Sequence, residues 1–223
     1  MNYQNAKIGF KKLHSAEIID LIATIIIVAS TIGIVLGLVS IGNNDVTTGN
    51  LLVTSLSSVA LIISLVLGLV AYIINIIGLS SMGKDNHYFK DALYNAIAGL
   101  IVVILCSILV NVFKEGTFAY RVVDLANNNF ERINEFVTIY LVLKGSIEIA
   151  NTEGKAELEA YCNSTLKFII ASSILSIILG GIGSFETGLV GIITAIISLA
   201  SLVIAIIAYV KYLSFLKRMA NEL

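Results

Sequence analysis

Long apolar stretches at 16–41, 51–79, 92–113, 166–182 and 188–212 constrain this chain more than any other feature. Each is close to, or longer than, the roughly 20 residues with which an α-helix crosses a lipid bilayer. Hydrocarbon offers no partner for a backbone N–H or C=O, so runs of this kind fold as helices that pair their own backbone. Composition agrees: 57% of the 223 residues are hydrophobic and 13% are charged, against about 25% charged in soluble domains. Mean hydropathy is +0.95. The first run exceeds the roughly 7–15 residues of a signal-peptide core, so it reads as a retained helix.

Other classes are disfavoured by what the chain contains. Net charge is −1, which leaves no basic field to attract nucleic acid. Pro and Trp are both absent; interfacial anchoring falls to Tyr, and the broken helices of many transporters would have to be made with Gly alone. Cys106 lies in an apolar run and Cys162 in a polar connector, a placement that predicts two free thiols.

Hydropathy and charge disagree about the number of crossings. Between 113 and 166 the one mostly apolar stretch is FVTIYLVL (136–143), flanked by Glu131, Arg132, Asn134 and Glu135 on one side and Lys144 and Glu148 on the other. Hydropathy alone makes this an interfacial helix and leaves five crossings. With five crossings and Lys7, Lys11 and Lys12 inside, most of the later basic residues fall outside. A sixth crossing at 127–150 brings Lys155, Lys167, Lys211, Lys217 and Arg218 back inside and leaves Lys114, Arg121 and Arg132 outside. The excess of Lys and Arg in cytoplasmic loops favours six crossings with both termini cytoplasmic. The expected architecture is an all-α integral membrane bundle over 1–223, with helices at about 16–41, 51–79, 90–113, 127–150, 160–182 and 188–216. The alternative is five spanning helices plus one interfacial amphipathic helix.

Internal similarity points the same way. SLVLGLVAYI (64–73) aligns without gaps to SLVIAIIAYV (201–210), and FKKLHSAEIIDLIATI (10–25) to FKDALYNAIAGLIVVI (89–104). The pattern reads as one helical hairpin used three times. The polar stretches GNNDVTTGN (42–50) and GSFETG (183–188) would close two of the hairpins.

Small residues are the candidate packing sites. Ala29, Gly33 and Gly37 are spaced by four, as are Ala60, Ser64 and Gly68; Ser201, Ala205 and Ala208 form a looser row. Such rows let helix backbones approach closely in lipid. They serve packing within one chain or, on the sharper reading, a homo-oligomer interface. The polar candidates are Asp20, Asn75 and the pair Lys144 and Glu148, whose i,i+4 spacing suits a salt bridge on one helix face. Asp20 near a helix start is favoured by the helix dipole; its functional reading is an ion or proton site. Asn75, Asn95 and Asn111 are expected to hydrogen-bond to neighbouring helices.

The polar loop GLSSMGKDNHYFKDA (78–92) reads as a solvated turn facing lipid headgroups. Its one His is not a metal site, and GKD lacks the spacing of a phosphate-binding loop. The chain holds no Gly-x-Ser-x-Gly, no His-Glu-x-x-His and no paired catalytic carboxylates, so no catalytic, cofactor-binding or metal residues are assigned and no cofactor is expected.

The segments NAKIGFKKLHSAEIIDLIA, IINIIGLSSMGKDNHYFKDAL and AYVKYLSFLKRM resemble a group of small bacterial multi-pass membrane proteins of unknown function. The resemblance covers most of the chain and implies a bacterial inner-membrane protein; helix four, shorter and more charged than the rest, departs most from it. The expected role is a non-enzymatic structural or interaction module. The alternative is a small transporter, channel or accessory subunit. Partners would be the lipid bilayer and a second copy or another membrane protein, with no nucleic acid.

Overall fold

The computed structural model describes residues 3–42, 48–113, 117–182 and 189–223, with side chains described throughout except at 38, 40–42, 48, 50, 121, 122, 124–129, 131 and 176–202. The expected connectors at 42–50 and 183–188 lie largely outside the described residues. The elements run α1 (Gln4–Gly42), α2 (Thr48–Met82), α3 (His87–Val112), α4 (Phe118–Thr152), α5 (Ala156–Ile182) and α6 (Leu189–Glu222). The fold is all-α, with no strand among the described residues. Three helices there are long and apolar enough to cross a membrane: Gln4–Gly37, Leu51–Met82 and His87–Val112.

Local chemistry sets where the helices begin and end. Asn86 is the N-cap of α3 and its side chain accepts from the Tyr88 N–H at 2.8 Å. Thr117 caps α4 in the same way, accepting from the Tyr120 N–H at 3.3 Å. A polar oxygen at this position satisfies one of the donors a helix start leaves orphaned. At the other end of α4, Gly154 adopts φ +68°, the left-handed conformation that glycine enters at least cost. The Lys155 N–H then reaches the Ala150 carbonyl at 2.9 Å and the Gly154 N–H the Asn151 carbonyl at 3.0 Å. These crossed bonds are the Schellman closure of a helix C-terminus.

The helices are longer than hydropathy implied. α1 starts at Gln4 and not near 16, and α4 at Phe118 and not near 127. At 35 residues α4 equals α2 and is not a short helix. Its ends come from Thr117 and Gly154, and polar residues such as Glu, Arg and Asn at 131–135 do not break a helix. At ~1.5 Å per residue, α4 is about 52 Å long, well over the ~30 Å of a bilayer core.

The chain divides into two compact units: Lys11–Gly78, and Met1–Phe10 together with Leu79–Leu223. In the first unit, Gly33 of α1 lies against Ser57 and Val53 of α2. Buried positions recur every seven residues: Ala16, Ala23, Ser30 and Gly37 in α1, and Ser64, Ala71 and Gly78 in α2. Seven is the period of left-handed, nearly parallel packing, whereas a row spaced by four belongs to right-handed crossings.

In the second unit α3 packs on α4, α4 on α5, and α5 on α6. The contacts run in opposite senses along each pair. Phe89 meets Gly145 while Gly99 meets Asn134, and Arg218 lies over Tyr161 while Lys211 lies over Phe168. Fully buried large side chains gather at one end: Phe10, Phe89, Phe215, Leu79, Met82, Leu143, Ile149, Leu158, Leu216 and Met219. Phe10 meets Phe89 edge-on at 5.7 Å and Phe215 at 6.0 Å between ring centroids. Each edge-to-face pair contributes roughly 0.5–1.5 kcal/mol beyond the area it buries. Phe10 and Phe89 are the residues that open the two aligned sequence segments.

Candidate functional site

A connected polar group in the second unit is the turn between α2 and α3. The Asp85 carboxylate accepts from the Ala6 N–H at 2.7 Å and from the Asn5 side-chain amide at 2.8 Å. It thus caps the start of α1 from 79 residues away in sequence, placing negative charge where the helix dipole is positive. The neighbouring Asn86 caps α3 with its oxygen and donates its amide N–H to Glu148 of α4 at 2.8 Å. The loop expected to be a solvated turn is therefore a joint holding α1, α3 and α4. Gly83 permits the close return: a methyl group there would stand 3.2 Å from the Lys90 backbone.

A second cluster fixes α4 against α3. The Asn95 side chain donates to the Asn134 carbonyl and to the Thr138 hydroxyl, both at 2.9 Å. Thr138 donates in turn to the Asn134 carbonyl at 3.0 Å. Gly99, one turn further along α3, makes room for the Asn134 amide; any side chain there would overlap it. The cluster lies between two packed helices, where paired polar groups hold helices together in an apolar surround.

A cleft of about 200 Å³ opens between α4, α5 and α6. Its polar lining is Arg132, Glu135, Ser172, Ser173, Tyr209 and Tyr212, and its apolar lining Phe136, Ile139, Ile169, Ala205 and Ala208. Arg132 and Glu135 are three apart on α4 and so project from one face. The cleft offers a cation, a carboxylate and four hydroxyls above an apolar floor.

Gly33 is half-buried against Ser57, and Gly37 is buried, while Ala29 is exposed. Ser64 is fully buried and donates to the Leu61 carbonyl at 2.7 Å. Gly68 has no atom within 4 Å of where a Cβ would stand, so that part of the row faces open space. Ala205 is exposed and lines the cleft; the side chain of Ser201 lies outside the described residues. Asp20 is exposed and Asn75 half-buried, both in the first unit.

Lys144 and Glu148 are in the second unit, and the contacts described for them are not with each other. The Lys144 ammonium lies over the Tyr140 ring at 5.7 Å, and Glu148 accepts from Asn86. Glu148 thereby stands at the α2–α3 turn, not at the middle of the bundle. Asn95 does bond to a neighbouring helix, whereas Asn111 donates to the Ser107 carbonyl of its own helix at 2.8 Å. Both cysteines are free. Among the described residues no group of three or more His, Cys, Asp or Glu side chains is placed to hold a metal ion.

Further contacts tie α5 to α6. Lys211 donates to the Ser164 hydroxyl at 3.2 Å and lies over the Phe168 ring at 5.1 Å. Arg218 lies over Tyr161 at 4.9 Å and donates to the Glu222 carboxylate at 2.6 Å, a bond that raises the Arg218 pKa further above its ordinary value. Lys155 donates to the Glu222 backbone carbonyl.

No protein family matches this chain, and no curated protein or solved structure matches it.

Proposed function

We propose that this chain is a non-enzymatic, multi-pass membrane protein with six crossings, acting as a structural or interaction module. The supporting observation is the common end shared by three features of the second unit. The α2–α3 turn, the α4–α5 turn and the end of α6 lie together, joined through Asn86–Glu148, Lys155–Glu222 and the Phe10–Phe89–Phe215 cluster. A chain whose α3 crosses a bilayer away from that end returns to it through α4, and leaves and returns again through α5 and α6. The positive-inside bias supports a cytoplasmic position for this end, and a bacterial inner membrane is what the sequence resemblance implies for the bilayer.

The test is labelling from each side of sealed vesicles. In a chain with Cys106 and Cys162 replaced by Ala, single cysteines at Lys84, Lys155 and Lys217 should all react from the same side. Reaction of Lys155→Cys and Lys217→Cys from the side opposite Lys84→Cys would leave five crossings, with α4 on the surface.

The α4–α5–α6 cleft favours a second reading, a small transporter or channel subunit. Ionisable groups at membrane depth mark ion or substrate paths more often than they mark packing. On this reading, vesicles carrying the protein show ion or proton flux that falls on Glu135→Gln; flux no greater than in empty vesicles removes it.

A further inference from the structure

Three lysine–aromatic pairs of the second unit lie at one level along its helices. Lys90 stands over Tyr94 at 5.8 Å in α3, Lys144 over Tyr140 at 5.7 Å in α4, and Lys211 of α6 over Phe168 of α5 at 5.1 Å. The register follows from contacts already described. Asn95 bonds Thr138, which sets Tyr94 within a turn of Tyr140. The tight turn at Gly154 sets Tyr140 opposite Phe168 by equal distance along α4 and α5.

The same level divides two kinds of surface. Beyond it, large apolar side chains are exposed, among them Ile97, Ile101 and Ile104 on α3 and Val203, Ile207 and Val210 on α6. On the other side, among the described residues of 79–93, 142–158 and 211–223, no large apolar side chain is exposed; Ile8, in the first turns of α1, is the exception. That side instead holds the packed phenylalanine cluster and charges of both signs, Asp85, Glu148, Glu153, Glu157 and Glu222 with Lys84, Lys155, Lys217 and Arg218. From Tyr140 to the end of α4 at Thr152 is ~18 Å at 1.5 Å per residue.

The geometry points to a lipid-headgroup belt at this level: Lys90, Lys144 and Lys211 bind the phosphates of anionic phospholipids. Their aromatic partners sit at the edge of the hydrocarbon, and the packed end stands clear of the membrane. Amphipathic rings concentrate at the headgroup level, and lysine stems lie along apolar surface while the ammonium reaches outward. The proposal rests on the membrane-spanning reading of the chain.

Because the chain contains no Trp, Tyr94→Trp creates a single reporter beside Lys90 and keeps an aromatic face for it. The full-length protein is placed in vesicles of three parts phosphatidylcholine to one part phosphatidylglycerol. One lipid or the other carries bromine on its acyl chains close to the headgroup, where it quenches only a nearby indole. Brominated phosphatidylglycerol is expected to quench more than its share of the mixture. Lys90→Gln should lower that preference about fivefold, the effect of one surface cation near anionic lipid, and Lys90→Arg should retain it. Lys217→Gln, at the packed end, should leave it unchanged. Quenching in proportion to lipid composition overturns the anionic-lipid proposal and leaves the membrane reading standing. Emission that neither lipid quenches overturns the belt and the membrane level together.

Discussion

Asp85 carries more structural consequence than its place in an exposed-looking turn implies. Its two oxygens serve the Ala6 N–H and the Asn5 amide, so removing the carboxylate strips α1 of a cap and leaves donors at the helix start unpaired. Asp85→Ala should cost about 1–2 kcal/mol, the usual loss when an N-cap acceptor is deleted. The first turn of α1 should then exchange its amide hydrogens faster, as hydrogen exchange of the detergent-solubilised protein would show. Asp85→Asn keeps an acceptor oxygen and should recover part of the loss. An unchanged exchange rate at Ala6 would mean the bond contributes nothing. This role could not be read from the sequence, because nothing local to GKDN indicates that its partner lies 79 residues upstream. The caps at Thr117 and Gly154 are different, since a Thr ahead of a helix and a Gly after one are signals local to the sequence.

α4 is the element whose identity was least legible. Hydropathy sees only the apolar stretch at 136–143, while the helix extends from Phe118 to Thr152 because its caps, not its apolar content, set its ends. The apolar runs of α1, α2 and α3 could be read directly, since length and composition there are decisive. Asn95 was legible as a residue that bonds to another helix, but its partners Asn134 and Thr138 were not, since register between helices depends on side-chain fit. That fit gives a test. Gly99→Leu forces a branched side chain into the Asn134 amide and should destabilise the α3–α4 pair by roughly 1–3 kcal/mol, the range for overpacking. Asn95→Leu removes the hydrogen bonds without adding bulk and should cost less, on the order of 0.6 kcal/mol, as for other interhelical bonds in membranes. Unfolding in a denaturing detergent series ranks the two variants; the reverse order would mean that the hydrogen bonds, not the close approach at Gly99, hold α4 in place.

Across the chain, some small-residue surfaces pack it on itself and others stay open to a second copy. The small residues supply a discriminating pair within one unit. A Cβ at Gly33 would run into Ser57, so a larger side chain there strains the α1–α2 contact, whereas a Cβ at half-buried Gly68 would meet nothing within 4 Å. The spacing of four that drew both residues together in the sequence hides this difference, because the buried positions follow a period of seven. Gly33→Leu should therefore destabilise the protein by roughly 1–3 kcal/mol, and Gly68→Leu should stay within the ~0.5 kcal/mol typical of surface changes. Only the second variant then isolates self-association from folding. If a second copy docks on the α2 face at Gly68, Gly68→Leu lowers the particle mass measured by light scattering in detergent while the unfolding midpoint holds. An unchanged mass removes that face from any homo-oligomer and leaves Gly68 facing lipid.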